Sequence, residues 1–383
     1  MIKKTRLVSL LKKLISINSE NPGGNEFRIA RFAGDYLSRL GLKIQIYEFK
    51  EKRSNLIALL EGKDRKRSLL LTPHLDTVPR GNSWTMDPFA GKVSGGKMYG
   101  LGATDRKGDL AAAMEAVTSI VESGRKLEYN LILAATADEE TGSHCGIIPL
   151  LEKRILNPDA AVVLDADDFS IVVAQKGLIH LTVSVRGRRA HGAYPWLGDN
   201  AIEKAAAAIA EIGKHRFPSP FHKYLRPPTA NVGTIRGGDK VNVVADHCVF
   251  ELDIRFLPGT PAARILSELK SLLKKNAGRN YKITVNSLQQ PYSIGLDHPL
   301  VEHLQRAMRS HHVKPQVNGS EGATVITFFQ ERGIPAVATG FGCEGCNHIS
   351  DEYVKLDNLY KGAGILETFL RDYSFSSAAH SIG

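Results

Sequence analysis

The sequence predicts an α/β protein in which a smaller α+β domain is inserted into a larger one. Three observations lead to this prediction. With 383 residues, the chain is too long for one ordinary compact core. Apolar runs typical of buried strands alternate with helical patterns up to residue 165 and again from residue 298. Between these stretches the order changes to strand, helix, strand, strand, helix, strand, which is typical of a small sheet with two helices on one face.

The chain begins with a basic, amphipathic segment. Its apolar run at 7–11 is interrupted by Lys12 and Lys13 and is too short for a signal-peptide core or a membrane span, so we expect a first helix there. Helical patterns and apolar strand patterns bounded by polar turns then follow one another. We predict helices at 26–40, 107–123 and 143–154, strands at 42–49, 54–61, 68–73, 130–137 and 160–165, and a long loop rich in glycine and proline that ends near residue 104.

The inserted domain is predicted at 178–288, so that the larger domain comprises 1–177 and 289–383. In the inserted domain we predict strands at 178–186, 229–236, 247–256 and 281–288 and helices at 199–213 and 260–276. The α/β style then resumes, with helices at 298–311, 322–332 and 356–371 and a strand at 334–340. Fold class alone assigns no function.

The composition is that of an ordinary globular protein. Its hydrophobic content of 43% and charged content of 23% exclude a disordered or fibrous chain. Four cysteines in a chain of this length do not make a disulfide framework, and without a signal sequence they favour a reducing cytoplasm.

The net charge of +10 would suit an acidic partner such as nucleic acid. The basic residues are scattered along the chain, however. Their densest run, at 63–67, lies between two strand patterns, where a solvated turn is expected, and no aromatic residues are interleaved with it. We therefore expect neither nucleic acid nor a membrane as the partner.

Potential metal ligands follow the ends of several predicted strands. Ligands of open α/β sheets gather beyond the carboxyl ends of the strands. The residues found there, or in the loop before the helix at 107–123, are His74, Asp105, the pair Glu139 and Glu140, Asp165 and His348. Each alone is most simply a cap or a turn residue. Together they would repel one another or be costly to desolvate without a cation, and mixed nitrogen and oxygen donors suit zinc or its borderline neighbours.

Two spacings suggest a division of roles. Residues two apart in an extended segment face the same side, so we expect Asp76 to hold the imidazole of His74 in one tautomer. Adjacent Glu139 and Glu140 cannot both point the same way from an extended backbone. One of them could therefore bind metal while the other reaches the attacking water.

Ordered motifs along most of the chain carry a family resemblance. The sequence resembles metallopeptidase family twenty, the group that contains acetylornithine deacetylase, succinyl-diaminopimelate desuccinylase, aminoacylase and glutamate carboxypeptidase. The motifs are PHLDTVP at 73–79, the segment 84–114 around GATDRKGD, ADEETGS at 137–143, GRRAHGAYPWLGDNAI at 187–202, the segment 240–259 around FELDIRFLPG, and the segment 333–354 around GCNHISDEY. The resemblance implies a zinc-peptidase-like catalytic domain with a mixed central sheet, interrupted by a ferredoxin-like lid and dimerisation domain.

The resemblance also assigns roles to the candidate ligands. It implies that His74 and Asp165 hold one divalent ion, that Glu140 and His348 hold the other, and that Asp105 bridges both. Two zinc ions are expected, with cobalt or manganese as alternatives, and Asp167 and Asp168 lie close enough to compete with Asp165. Glu139 would be the general base. A cis peptide bond after Asp105, without a proline, is a further implication.

Three residues of the inserted domain match positions with roles in the family. His191 matches a histidine that stabilises the tetrahedral oxyanion, often in the active site of a partner subunit, and the motif around it supports this role. An exposed histidine in a glycine-rich turn is the alternative. Asn242 and Arg255 resemble residues that contact polar groups of the substrate. Arg255 could clamp a carboxylate through two hydrogen bonds, or it could form a structural salt bridge.

The expected function is hydrolysis of a small N-acyl amino acid by a cytoplasmic homodimer that associates through 178–288. The alternatives are a dipeptidase or carboxypeptidase with the same chemistry, and a non-catalytic binding protein, against which the retention of Glu139 argues. The sequence departs from the family at 320–328, where Val325 and Thr327 replace an aspartate and an arginine of many relatives. This departure argues against diaminopimelate-type substrates.

Overall fold

The computed structural model describes residues 1–322 and 324–376. Within these ranges the chain forms two compact units. The larger unit comprises Met1–Val173, Ile294–Asn318 and the described chain from Phe328 onward; the smaller comprises Ala174–Ser293 and Gly319–Thr327, of which Ala323 lies outside the described residues. The two boundaries on either side of the smaller unit differ by a few residues from the predicted ones.

Helices and strands alternate through most of the chain. The helices are α1 (Lys4–Ile15), α2 (Glu26–Ser38), α3 (Lys107–Glu122), α4 (Ile147–Glu152), α5 (Ala201–Lys214), α6 (Ala262–Asn276), α7 (Pro299–Ser310), α8 (Ile326–Gln330) and α9 (Leu356–Asp372). The strands are β1 (Lys43–Glu48), β2 (Ser54–Leu60), β3 (Asp64–Thr72), β4 (Lys92–Ser94), β5 (Lys97–Tyr99), β6 (Tyr129–Ala135), β7 (Ala160–Leu164), β8 (Ser170–Gln175), β9 (Gly177–Arg186), β10 (Thr229–Gly237), β11 (His247–Phe256), β12 (Tyr281–Gln289), β13 (Tyr292–Ser293), β14 (Gln316–Ser320), β15 (Ala336–Thr339) and β16 (Tyr353–Lys355).

The first helix is amphipathic, as predicted. The side chains that α1 buries recur every three or four residues, which places them on one face of the helix: Leu7, Leu10, Leu11, Leu14 and Ile15. Lys12 and Lys13 lie in its last turn, where cations interact favourably with the helix dipole. No helix within the described ranges combines the length and the apolar composition that crossing a bilayer requires.

The central sheet of the larger unit is mixed, which confirms the predicted fold class. Its strands lie in the order β1-β2-β6-β3-β7-β15-β8. β3 pairs in parallel with β6 and β7, and β15 pairs in parallel with β7. β2 pairs antiparallel with β1 and β6, and β8 pairs antiparallel with β15. The carboxyl ends of the four parallel strands β6, β3, β7 and β15 therefore lie along one edge of the sheet.

The smaller unit contains an antiparallel sheet with the strand order β10-β11-β9-β12. Alternate residues of β9 and β11 are buried with the apolar faces of α5 and α6 in one hydrophobic cluster. Along the chain the elements follow the order β9, α5, β10, β11, α6, β12, which agrees with the predicted pattern. The roles of this unit as a lid and as a dimerisation surface stay predictions.

Some elements differ from the prediction because their local sequence is misleading. The charged run at 63–67 was predicted as a turn, yet from Asp64 on it forms the exposed beginning of β3. The glycine-rich loop before residue 104 contains β4 and β5, which join β16 in an antiparallel sheet. Strands of three residues have no apolar run that could be recognised in the sequence. The helix predicted at 322–332 is limited to Ile326–Gln330, and Ala323 lies outside the described residues.

The segment Gly319–Thr327, which we predicted in the larger domain, belongs to the smaller unit. Nζ of Lys176 is 2.6 Å from a carboxylate oxygen of Glu321. The backbone N–H of Thr324 donates to the side chain of Gln175 at 3.0 Å. These contacts join residues almost 150 positions apart in the chain, which explains why sequence patterns did not predict them.

Candidate metal centre

The predicted ligands lie beyond the carboxyl ends of the parallel strands. His74 lies two residues after β3, and its backbone forms a parallel bridge with Thr136, just after β6. Asp165 directly follows β7, and its backbone N–H donates to the carbonyl of Thr339 at the end of β15. Asp105 precedes α3. Residues that are distant in the chain therefore meet at one edge of the sheet.

Asp105 lies between two groups of candidate ligands. Its Oδ1 is 3.1 Å from Nε2 of His74, and its Oδ2 is 3.1 Å from Nε2 of His348. His74, Asp105 and Asp165 form one group, and Asp105, Glu140 and His348 form the other; in each group the ligand atoms lie within 4.8 Å of one another. Each group could therefore hold one metal ion, with Asp105 shared between them.

Nearby carboxylates favour the protonated form of both histidines, and a metal ion would compete with that proton. Burial disfavours the charged imidazole of His74, but the hydrogen bond with Asp105 and the nearby Asp76 outweigh burial and hold the pKa of His74 well above its usual value. The hydrogen bond with Asp105 raises the pKa of His348 to about 9, against the opposing effect of burial. Only a neutral imidazole ligates metal. Imidazole nitrogens and carboxylate oxygens together fit zinc and its borderline neighbours.

The two adjacent glutamates add further carboxyl groups to the centre. Burial raises the pKa of Glu139 to about 8, and the charge of Asp165 acts in the same direction. Burial also raises the pKa of Glu140. Crowded carboxylates favour protonation or a bound cation. A divalent ion would allow these groups to be ionised at neutral pH.

Glu139 and Glu140 lie on a short turn and not on the extended backbone that we predicted. Asp138 has a left-handed backbone conformation, with φ at 67°, and a 3-10 turn follows at Glu139–Thr141. The carboxylate of Asp76 accepts the backbone N–H groups of Glu139 at 3.1 Å and of Glu140 at 3.2 Å. Asp76 thereby holds the backbone of both glutamates.

Asp76 contacts His74 differently from the prediction. Nδ1 of His74 is 2.9 Å from the backbone carbonyl oxygen of Asp76, whereas the nearest carboxylate oxygen is 3.6 Å away. The carboxylate is directed towards the turn that carries the two glutamates. The backbone oxygen, and not the side chain, therefore makes the closest contact to the imidazole, because the carboxylate accepts other N–H groups.

Arg106 contacts the aspartates that follow β7. Its Nε donates to Asp165 at 2.7 Å, and its Nη1 donates to Asp167 at 2.7 Å. Asp168 accepts the side-chain amide of Asn358 at 2.9 Å. Asp165 is the member of this trio that lies in a group of candidate ligands. The peptide bond before Arg106 is cis, which confirms the expectation from the family resemblance.

Several supporting residues were not predicted from the sequence. The buried carboxylate of Glu352 accepts the backbone N–H groups of Gly102, Thr104 and Asp105 at 2.8, 2.7 and 3.0 Å, and so holds the loop before α3. Burial raises the pKa of Glu352 to about 7. Its signal in the sequence was its place in the motif GCNHISDEY, four residues after His348. Arg106 was missed although it follows Asp105 in the motif GATDRKGD. Asn21 and Arg53 were missed as well, since no local pattern connects them with the centre.

The three candidate residues of the inserted domain all lie on the smaller unit. His191 is exposed, its backbone forms a bridge with Val243, and its Nδ1 accepts the backbone N–H of Ala193 at 3.0 Å. Asn242 is exposed too. Arg255 binds Asp253 through two hydrogen bonds, from Nε at 2.7 Å and from Nη2 at 2.9 Å. This is the salt bridge that the sequence left open as an alternative to substrate binding.

Comparisons with known proteins confirm the family that the sequence resembles. The sequence profile of peptidase family M20/M25/M40 matches residues 70–372. The chain is 31% identical over 351 residues to acetylornithine deacetylase of Salmonella paratyphi B, and the alignment covers 89% of each chain.

Solved structures of low sequence identity share the fold. Aminopeptidase PepT from Bacillus cereus is 24% identical and has a TM-score of 0.81, with 97% of this chain and 98% of that chain covered. The YXEP protein of Bacillus subtilis, a dinuclear metal-binding peptidase from the M20 family, is 15% identical and has a TM-score of 0.74, with 97% and 99% covered. Both likenesses extend over almost the whole chain.

Proposed function

Because the chain belongs to peptidase family M20/M25/M40, it is a hydrolase of amide or peptide bonds, and we propose that its substrates are small N-acyl amino acids. The identity of 31% to an acetylornithine deacetylase over most of both chains supports deacylation. The observation that carries the chemistry is the position of Asp105, whose two carboxylate oxygens each lie 3.1 Å from a different histidine.

Two divalent ions fit the donor set. In the proposed assignment His74 and Asp165 would hold one ion, Glu140 and His348 would hold the other, and Asp105 would serve both. Zinc is the expected metal, and cobalt or manganese would suit the same donors. Ions bound there would polarise the scissile carbonyl and lower the pKa of the attacking water.

The side chains around the centre move the protons and orient the reactants. Glu139 takes a proton from the attacking water and delivers it to the nitrogen of the leaving amino acid. Asp76 accepts the backbone N–H groups of Glu139 and Glu140 and so keeps both carboxylates in place. The arrangement supports hydrolysis by general acid–base catalysis.

The smaller unit supplies further groups in this proposal. His191 stabilises the oxyanion of the tetrahedral intermediate, and Asn242 and Arg255 contact polar groups of the substrate, for which Arg255 exchanges its hydrogen bonds to Asp253. The chain acts as a homodimer that associates through 178–288. Free thiols at Cys145, Cys248, Cys343 and Cys346 support a reducing, cytoplasmic location.

A substrate panel tests the proposal. The metal-loaded protein would be assayed with N-acetyl and N-succinyl amino acids and with dipeptides and tripeptides, and release of the free amino acid would be measured. We expect turnover of N-acyl amino acids. Turnover confined to peptides would replace the deacylase with a dipeptidase or carboxypeptidase, and no turnover of any compound by the fully metal-loaded protein would contradict both.

A further inference from the structure

A network of buried polar side chains lies next to the turn that carries Glu139 and Glu140. Its members are Asn21, Glu26, Arg53, Asp76 and Asp138, all of which are buried. They come from the loop before α2, from the beginning of α2, from the residue before β2, and from the ends of the segments after β3 and β6. Buried polar groups are costly unless they are paired. The partners of each member show which part of the structure this network holds.

Within this network, Asn21 connects Arg53 to Asp76. Its Nδ2 donates to Oδ2 of Asp76 at 2.9 Å and to Oγ1 of Thr141 at 3.0 Å, and its Oδ1 accepts from Nη1 of Arg53 at 3.2 Å. Its backbone N–H donates to the carbonyl of Thr77, in the loop that also carries Asp76. The amide therefore uses both of its N–H donors and its oxygen, so that its orientation is determined.

Arg53 connects the network to Asp138, the residue directly before the turn. Its Nη2 lies 2.8 Å from Asp138 and 2.8 Å from Glu26. The other carboxylate oxygen of Asp138 accepts the backbone N–H of Cys145 at 2.8 Å, and Thr141 also donates to Asp138. The planar guanidinium thus holds the residue with the left-handed backbone conformation from which the turn starts.

The network has two branches, one from Asn21 to Asp76 and one from Arg53 to Asp138. Both end at the backbone that carries the two glutamates. Asp76 accepts the N–H groups of Glu139 and Glu140, and Asp138 is the residue directly before them. Apolar side chains of similar volume often stabilise a fold as well as buried ion pairs do. We therefore do not assign the network to stability alone. Each of its contacts limits where the turn at Glu139–Thr141 can move.

We propose that Asn21 and Arg53 are positioning residues of the hydrolytic centre. They determine the orientation of the Asp76 carboxylate and of the turn at Glu139–Thr141, and through these they place Glu140 for metal binding and Glu139 for proton transfer. This inference rests on the proposed function. Within the described part of the chain, the side chains of Asn21 and Arg53 pair with each other and with Asp76, Thr141, Asp138 and Glu26. Both therefore act through Asp76 and the turn.

Arg53→Lys tests the inference, with Arg6→Lys as the matched control. Lysine keeps the positive charge at 53, but it lacks the planar fork that reaches Asn21, Glu26 and Asp138 together. Arg6 also forms a forked ion pair with a fully buried carboxylate, that of Glu115 at 2.6 Å, between α1 and α3. We expect both variants to lose stability, whereas Arg53→Lys alone lowers kcat, by about 10- to 100-fold, with little change in KM.

A titration with Co²⁺ tests the inference without any substrate. The metal-free proteins would be titrated with Co²⁺ and followed by visible absorption, which reports the ligands of the ion. We expect the affinity of Arg53→Lys for Co²⁺ to fall by about 10-fold or more relative to wild type, and that of Arg6→Lys to stay unchanged. If no substrate of the panel is turned over, the proposed function fails, but this titration still decides about Arg53.

Asn21→Ala removes the hydrogen bonds to Asp76 and Thr141 but leaves the contacts of Arg53 with Glu26 and Asp138. It is the second test variant, for the case in which Arg53→Lys does not fold. We expect the same pattern with a smaller loss of kcat and of Co²⁺ affinity. A folded Asn21→Ala or Arg53→Lys protein whose kcat and Co²⁺ spectrum match those of Arg6→Lys would overturn the inference.

Discussion

Glu139 is a half-buried carboxylate on a turn whose backbone is held by Asp76. Its side chain is placed among groups of the same charge, which favours a role in accepting a proton over a role in a structural ion pair. The proposed chemistry depends on this residue more than on any other that is not a metal ligand.

Glu139→Gln should therefore separate proton transfer from metal binding. The amide keeps the size of the side chain but cannot take a proton, so we expect kcat to fall by about 10²- to 10⁴-fold. Metal content, measured by mass spectrometry of the elements, should stay near two ions per chain, as the proposed ligand set requires. Glu128→Gln, at an exposed ion pair with Lys63, is the control and should keep full activity. Full activity of Glu139→Gln would exclude it as the base.

Glu26 is a further carboxylate with a raised pKa, and it lies outside the ligand set. Burial raises the pKa of Glu26 from 4.5 to about 7, and Arg53 opposes this shift. The folded chain therefore holds this proton more tightly than the unfolded chain. The contribution of Glu26 to stability is complete below pH 4.5 and is lost as pH rises towards about 7.

Glu26→Gln removes this titration. We expect the free energy of unfolding of the variant, minus that of wild type, to increase between about pH 5 and about pH 8. Urea unfolding of both proteins at each pH measures the difference, in which the other titrating groups cancel. A difference that stays constant or decreases over this range would show that burial does not raise the pKa of Glu26.

At the scale of elements, the loop after β15 packs closely against the loop before α3. A Cβ atom on Gly342 would lie 2.3 Å from Oδ1 of Asp167, 2.7 Å from Cγ2 of Thr104 and 3.0 Å from Nη1 of Arg106. The first two distances are too short for any carbon contact, and Arg106 in turn holds Asp165. The glycine therefore allows two segments that carry candidate ligands to meet.

Gly342→Ala should disturb the metal centre from outside the ligand set. Overpacking costs about 1–3 kcal/mol, and a shift of the supporting residues should weaken metal binding by about 10- to 100-fold. Gly213→Ala, in α5, is the control, because a Cβ there meets no atom within 4 Å. Calorimetric titration of both metal-free proteins with Zn²⁺ makes the comparison. Equal affinities would mean that the loop can move without affecting the ligands.

At the scale of the whole molecule, the proposed homodimer makes a distinct prediction about His191. If this residue acts in the site of the partner subunit, a dimer of one Glu139→Gln chain and one His191→Ala chain contains one complete site. Random exchange of the two inactive proteins should then restore about a quarter of wild-type activity.

Activity after mixing and subunit exchange measures this complementation. Exchange can be followed independently by a mass tag on one chain. If heterodimers form and activity stays at the level of the separate variants, His191 acts within its own chain or has no role. If no dimer forms at micromolar concentration, the dimer proposal itself is wrong.

The chain order of elements could be predicted from the sequence to a large extent. The strands β2, β6 and β7 and the helices α3, α5 and α9 have long apolar patterns that tertiary contacts reinforce, and their predicted positions agree with the structure within a few residues. Short strands such as β4, β5 and β16 could not be predicted, because pairing partners and not their own composition determine them.

The sequence by itself determined the α/β class, the element order of the smaller unit, the family and the set of residues at the strand ends. Each follows from local periodicity or from ordered motifs, which the chain carries whatever its neighbours are. The tertiary structure alone decided that Asp76 holds the turn through its carboxylate, that Glu352 holds the loop before α3, and that Gly319–Thr327 joins the smaller unit. These features depend on contacts between residues tens to hundreds of positions apart, and no local pattern in the sequence specifies such pairings.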